Sequence, residues 1–426
     1  MAELRSKATG FGCAFCISFC TAALLALCTA PAPAEERSAG TLQLGVMDRP
    51  RPDYDAQGIS LGDWTLFPAL SATADYDDNV FRQQQSRSPD WFVETVPSAR
   101  LQRKWNGGAF GIFGNLDNLA YARFGRLNLT DWSVGSDGSA TLAKGLTLGA
   151  SGYYGEYHEG FESAEVVGQQ LDYTRYFHGH AESQLNYEGG HWIVGGGATF
   201  DRYEWRPTVT LSGVRFSNSN RDESLFAPYA KAAYEFTPGY HLFVRALYDG
   251  RNFDDDVRSS SGGRIDAGLA FAPDKTLNGE VYLGWLHREF RPPLPDFSTL
   301  DYGAAIDWYP MKQLTLHLTA SRAASDIVLP GFTVSDDQSF RLSADYEARH
   351  DVIVQAFAGY TDSRLAGLIS RVDRYPSAGL TVRYLINRYA SADFSYLYSS
   401  RHSEPNPSEA LNFRDQIFMA ALRLHV

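Results

Sequence analysis

The last nine residues, Phe418-Met419-Ala420-Ala421-Leu422-Arg423-Leu424-His425-Val426, decide how the chain is read. Phe418, Ala420, Leu422, Leu424 and Val426 alternate with Met419, Ala421, Arg423 and His425. A period of two belongs to an extended strand with unlike faces, here one apolar and one mixed. Moving toward the N-terminus, the pattern repeats. Phe340, Leu342, Ala344 and Tyr346 alternate with Arg341, Ser343, Asp345 and Glu347, and Leu314, Leu316 and Leu318 alternate with Thr315, His317 and Thr319. Ile265, Ala267 and Leu269 oppose Arg264, Asp266 and Gly268, while Val281, Leu283 and Trp285 oppose Glu280, Tyr282 and Gly284.

These runs are roughly 10–16 residues long, against about 5–6 for strands of soluble sandwiches, and ten or so residues is what a tilted strand needs to cross a bilayer. The expected strands are 64–77, 91–105, 109–122, 128–142, 145–157, 171–188, 191–203, 223–237, 239–251, 263–273, 275–288, 299–310, 312–324, 337–349, 351–362, 374–385, 388–399 and 412–426. That makes an all-β chain and a transmembrane antiparallel up-and-down β-barrel of 16–18 strands, with eighteen the direct count. Lipid offers no partner to an open sheet edge, so closure is compulsory.

The links give an independent test, because bacterial outer-membrane barrels alternate short periplasmic turns with long outer loops. Short links are expected at Asn106-Gly107-Gly108, Lys144-Gly145, Gly189-Gly190, Pro238-Gly239, Pro273-Asp274, Pro310-Met311, His350-Asp351 and Asn387-Arg388. Long polar segments fall between them, including 202–222, 251–262, 289–298, 322–336 and 400–411. Aromatic residues flank the turns (Trp105 and Phe110, Phe236 and Tyr240, Trp308 and Tyr309, Tyr384 and Tyr389), as an interfacial girdle requires.

Composition agrees. Aromatic residues make up 14% of the 426 residues, too many for disorder, and past residue 30 no apolar run is long enough for a spanning helix. A net charge of −12 without a cluster of Lys or Arg argues against a nucleic-acid partner. All four cysteines, Cys13, Cys16, Cys20 and Cys28, lie in the first 28 residues, within an apolar run preceded by Arg5 and Lys7 and followed by Ala32-Pro33-Ala34. This is the pattern of a cleaved signal peptide. The expected organisation is a signal peptide at 1–34, a periplasmic leader or plug at 35–63 and a barrel at 64–426 in the outer membrane of a Gram-negative bacterium.

Residues 46–81 carry a resemblance. Arg49-Pro50-Arg51-Pro52, Tyr54-Asp55, Gly58, Gly62, Pro68 and Tyr76-Asp77-Asp78-Asn79-Val80-Phe81 resemble the amino-terminal signature of the beta-barrel porin 2 family. Some members of that family are encoded beside exopolysaccharide synthesis genes. The resemblance therefore implies an outer-membrane pore, with polymer export among its expected uses, and it brings no catalytic residues.

Alternation assigns the lumen wall. The expected inward acids are Glu94, Asp131, Glu182, Asp266, Glu280, Asp345 and Asp393; the bases are Arg100, Lys104, Lys231, Arg245, Arg341, Arg383 and Arg423; Tyr153 and Tyr282 join them. The mixture of signs suits hydrophilic solutes or a sugar chain better than a single-charge filter. His178, His180 and Glu182 share a strand face that can grip zinc, yet polar residues are equally at home in a wet lumen. Asp77-Asp78-Asn79 reads as a calcium-binding turn or a plain polar one, and Asp254-Asp255-Asp256 as a divalent bridge to lipopolysaccharide or a solvated loop. No catalytic spacing is present, and neither a catalytic site, a resident metal nor a cofactor is expected. Expected partners are outer-membrane lipid and lipopolysaccharide, the barrel-assembly machinery and a periplasmic polysaccharide-export protein. A non-conducting adhesive barrel and an outer-membrane hydrolase remain as alternatives.

Overall fold

The computed structural model describes residues 44–165, 172–210, 213–405 and 411–426. The segment read as a signal peptide, and residues 35–43 of the leader, lie outside the described residues.

Eighteen long strands follow in sequence: β1 (Trp64–Asp77), β2 (Asp90–Trp105), β3 (Gly108–Tyr121), β4 (Leu129–Ala143), β5 (Leu146–Glu159), β6 (Thr174–Gly189), β7 (Trp192–Trp205), β8 (Glu223–Thr237), β9 (Tyr240–Phe253), β10 (Ser260–Phe271), β11 (Leu277–Phe290), β12 (Phe297–Met311), β13 (Leu314–Asp326), β14 (Phe332–Arg349), β15 (Val352–Gly367), β16 (Arg371–Asn387), β17 (Ala390–Glu404) and β18 (Phe413–His425). Each pairs antiparallel with its neighbours in sequence, and β18 returns to β1, with Ala69 opposite His425 and Asp77 opposite Ile417. That seam removes the last free edge. An even strand number brings both ends of the barrel to the same side. Ahead of β1, Ile59–Leu61 pairs back onto it through Gly62.

The two faces differ as the alternation demands. Ile265, Phe394, Leu283 and Trp285 are well over half exposed on the outer face. Such an apolar belt would be an aggregation surface in water, whereas against hydrocarbon it is the favourable one. Trp105, Phe236, Trp308, Tyr384 and Tyr389 stand exposed beside the short turns. Tyr309 departs from the expected girdle: it is 5% exposed and turned inward, next to a register irregularity between Trp308 and Met311. Pro310, which has no N–H to give the ladder, sits within that irregularity.

Short turns occupy 106–107, 144–145, 190–191, 238–239, 272–276, 312–313, 350–351 and 388–389. The link expected at Pro310-Met311 lies inside β12, so that turn falls two residues later. Gly145 shows why glycine is needed: its φ is +75°, and a Cβ there would stand 2.1 Å from the Glu188 carbonyl oxygen. On the other side the strands outrun the sequence reading. The expected loop 322–336 is mostly strand, because the Arg322 guanidinium grips the Asp336 carboxylate through two hydrogen bonds of 2.7 and 2.6 Å. Likewise β17 continues to Glu404, where Arg374 reaches the Glu404 carboxylate at 3.0 Å.

Candidate functional site

The inner face is lined by ion pairs. All sixteen residues assigned to the lumen stand on the strand face turned away from the apolar belt, as the shared registers place them. Lys231 Nζ donates to Glu280 at 2.7 Å; Arg245 donates to Asp266 at 3.0 Å and lies 4.6 Å from the Tyr282 ring centre. Arg100 binds Asp137 at 2.7 Å, and Lys104 follows it on the same face. Arg383 makes two 2.9 Å hydrogen bonds to Asp393, which Arg423 approaches at 3.0 Å. Arg341 stacks 3.6 Å over Phe357, and His317 bridges Asp307 and Asp345. Glu94 is hydrogen-bonded to Asp117, Asp131 meets His158 at 2.6 Å, and Tyr153 touches His178. Glu182 follows His180 on the same face.

Charge is unevenly spread around the ring. Across β9 to β13, Arg251 and Arg288 both hold Asp249 and Asp326, while Arg264 stands 3.6 Å from Asp301. Bases and acids there balance. Nearly opposite, β1 to β4 bring together Asp75, Glu94, Asp117 and Asp131, with His158 bonded to Asp131 and the Arg423 charge felt at Glu94. On that side of the wall carboxyls outnumber bases.

Two segments enter the mouths. From the N-terminal side, Val46 N donates to Thr315 Oγ1 at 2.9 Å, Arg49 pairs with Glu347 at 2.6 Å, and Arg51 donates to the Val46 carbonyl at 2.6 Å. Tyr54 contacts His350 and the His425 ring, and Gly58 N donates to the Val426 carbonyl. Residues of the family signature thus tie the leader to β13, β14 and β18. Pro50, Pro52 and Asp55 lie in the same segment, Asp55 accepting from Arg51 N at 2.6 Å, while Pro68 accepts from Val426 N.

At the opposite mouth, residues 160–165 after β5 reach across the ring. Arg401 of β17 donates to the carbonyls of Glu162 and Ser163 at 3.2 and 3.3 Å, and Val328 N, between β13 and β14, donates to Glu165 at 2.5 Å. β5 and β14 are nine strands apart on an eighteen-strand ring, so this segment spans the opening. Arg221 fastens it, with two 2.8 Å hydrogen bonds to Glu159 and one of 2.6 Å to Glu165, beneath a stacking contact with Trp205. Burial raises the Glu162 carboxyl above its ordinary range against the pull of Arg82, and raises Glu165 against Arg221. Phe161 packs with Val80, Leu119, Tyr121 and Leu127, and Ala164 packs against the cluster of Ile327, Phe332 and Leu365. Phe81 and Tyr76 complete the aromatic contacts of the signature, on Phe161 and Trp91.

The acidic turns already carry cations of their own. Arg82 joins Asp77 at 2.8 Å and Asp415 at 3.1 Å, Arg87 takes Asp78, and the Asn79 amide ties the carbonyls of Gln83 and Arg414. Asp254 meets Arg202, Asp255 meets Arg258 and Asp256 meets Arg291. The His178, His180 and Glu182 grouping weighed for zinc, and not expected to hold it, is arranged differently: both imidazoles turn to Asp201 of β7, 2.9 Å from His178 and 2.7 Å from His180.

The family model described as "Putative beta-barrel porin 2" matches residues 51–426. The chain belongs to this family. It is an outer-membrane β-barrel of porin type, as the resemblance at 46–81 implied. Similar solved structures include OpdK from Pseudomonas aeruginosa crystallised with vanillate, at 11% identity and a TM-score of 0.44, covering 85% of this chain and 99% of that one. A BenF-like porin from Pseudomonas fluorescens Pf-5 shares 11% identity with a TM-score of 0.46, covering 86% and 100%. The siderophore receptor PirA from Acinetobacter baumannii shares 6% with a TM-score of 0.47, covering 86% and 81%. No curated protein matches the chain.

The fastening residues Arg221, Glu159 and Glu165 were not singled out by sequence reasoning, nor were Asp249, Arg251, Arg288 and Asp201. Alternation alone would have found Asp249 and Arg251, on the Arg245 face of β9, and Arg288, on the Glu280 face of β11. The others depend on pairing between segments far apart in the chain.

Proposed function

We propose that this porin-family barrel is a passive, non-catalytic outer-membrane channel for hydrophilic solutes, weakly cation-preferring and narrowed at both mouths. The observation that carries the reading is the inner wall: charged side chains paired around one side and a carboxylate group on the other, which suits polar solutes of moderate size. Mixed pairs leave no single-sign filter. Export to the outer membrane follows from a cleaved signal peptide at 1–34, with lipopolysaccharide around the outer loops and the assembly machinery as transient partner. Liposome swelling tests the proposal. Vesicles containing the refolded chain should admit small sugars and exclude larger ones, and a KCl gradient should give a reversal potential of cationic sign. Swelling no faster than empty vesicles, for every solute, would refute it.

A second reading is favoured by one feature. Arg49, Arg51 and Tyr54 hold the leader in the periplasmic mouth, as befits an exit pore that stays shut until a periplasmic polysaccharide-export partner draws residues 35–63 away. Inward tyrosines such as Tyr153 and Tyr282 offer faces to a sugar chain. Deleting 44–58 should then abolish polymer secretion in the native host while leaving an inserted barrel; unchanged secretion removes this reading.

A further inference from the structure

Three donor groups on the inner wall converge on one point. Tyr153, His180 and Asp201 are directly paired across β5, β6 and β7, and His178 lies two residues along β6 from His180, on the same face. Residues two apart on a strand are about 6.6 Å apart, and directly opposed residues about 5 Å, so the side chains of such a patch can meet above its middle. Here they do. His178 Nε2 and His180 Nδ1 both approach the same oxygen, Asp201 Oδ1, and the ligating atoms of the three groups lie within 4.8 Å of one another.

The rings are held in place before any ligand arrives. Tyr203 stacks on His178 at 4.1 Å, and Tyr153 stacks on His180 at 5.1 Å while meeting His178 edge-on at 5.2 Å. Gly155, opposite His178, contributes no side chain to crowd it. Without metal, His178 Nε2 donates to Asp201; when a metal displaces that proton, Tyr153 Oη, 3.3 Å from His178 Nδ1, can accept from Nδ1 and hold the ring for ligation through Nε2. A metal-ligating imidazole needs this kind of outer partner to fix its tautomer. His178 and Asp201 are buried and His180 nearly so, which keeps competing water from most of the set.

We propose that His178 Nε2, His180 Nδ1 and the Asp201 carboxylate form a site for a divalent transition metal of the zinc class. Two imidazoles and one carboxylate are a donor set such ions favour, with bonds of about 2.0–2.2 Å, and three protein ligands leave a position for water or a passing anion. Binding releases whichever protons the two nitrogens carry toward Asp201, so affinity rises with pH. The surrounding wall then gains a fixed positive charge at one level of the lumen.

The test uses tag-free refolded protein. Equilibrium dialysis against Zn2+ followed by metal analysis should give one bound equivalent, lost in the His178→Ala/His180→Ala double variant and in Asp201→Ala. Tyr153→Phe should bind about tenfold more weakly, and Glu182→Gln should bind as the parent does. Retention of the compact unheated gel form shows which variants are folded. Zinc-edge X-ray absorption on the unmutated protein needs no variant, and should report two imidazole ligands with light-atom neighbours. No zinc above that in the folded double variant, or a zinc shell without imidazole, overturns the proposal, as does loss of binding in Glu182→Gln.

Discussion

Arg221→Ala should release the segment that spans the outer mouth. The Arg221 guanidinium faces Glu159, whose side chain is fully buried, and Glu165, 6% exposed, and among the described residues no other side chain is seen to bond both carboxylates. Removing one partner of a buried charge pair costs about 3–5 kcal/mol, because the charges left behind have no compensation. At about 1.4 kcal/mol per decade, the ratio of seated to released segment should fall by roughly two to three and a half powers of ten. The assay is single-channel recording of parent and variant at one fixed pH. The variant should show larger or longer-lived open levels than the parent, and Glu159→Gln/Glu165→Gln added to Arg221→Ala should restore the parent trace by removing the stranded charges. Arg221→Lys should be intermediate, since an ammonium keeps the charge but not the fork that spans two carboxylates. A correctly inserted Arg221→Ala channel with the parent's conductance and gating would refute the role given to this fastening.

Further expectations concern pH, selectivity, the leader and the belt. Glu162 and Glu165 are both raised by burial, so the seated segment holds their protons more tightly than the released one. Seating is then firmest below the ordinary glutamate range of about 4.3 and is lost as pH rises through the raised values, seen as open time increasing from acid toward neutral pH. Glu94→Gln/Asp117→Asn should move the KCl reversal potential toward zero, whereas Arg341→Gln, on a wall where its charge rests on Phe357, should shift it the other way. Arg49→Ala alone should change little, because the pair with Glu347 is partly exposed (28% and 17%) and worth at most about 1 kcal/mol. Ile265→Arg, in the middle of the lipid-facing side of β10, should destabilise the inserted barrel by about 2–4 kcal/mol in urea titrations from lipid vesicles.

The strand count and the facing of residues such as Arg245 and Phe394 could be read because hydrocarbon enforces strict alternation on every strand that crosses it. Where the strands rise beyond the belt that constraint ends. Arg322 and Asp336 look like loop residues in one dimension, yet the ladder between β13 and β14 runs past them to Asp326 opposite Val334, with their side chains paired across it. Tyr309 reads with its neighbour Trp308 as girdle, but strict alternation, Asp307 in and Trp308 out, turns Tyr309 inward. The histidine patch was half legible. His178 and His180 share a face by spacing alone, while choosing Asp201 over Glu182 requires the β6 to β7 register. The crossing of the mouth by 160–165 was not legible, since its anchors Arg221, Val328 and Arg401 lie far along the chain, in segments that read only as polar loops or strand ends.

In the proposed function the ring encloses a conducting lumen that its own segments close down. Planar-bilayer conductance of the mature chain, compared with a form lacking 44–58, tests it most directly. Small, flickering currents are expected from the intact chain, with a clear rise in steady conductance once 44–58 is gone. Absence of current from both inserted forms would contradict it and point to a structural barrel.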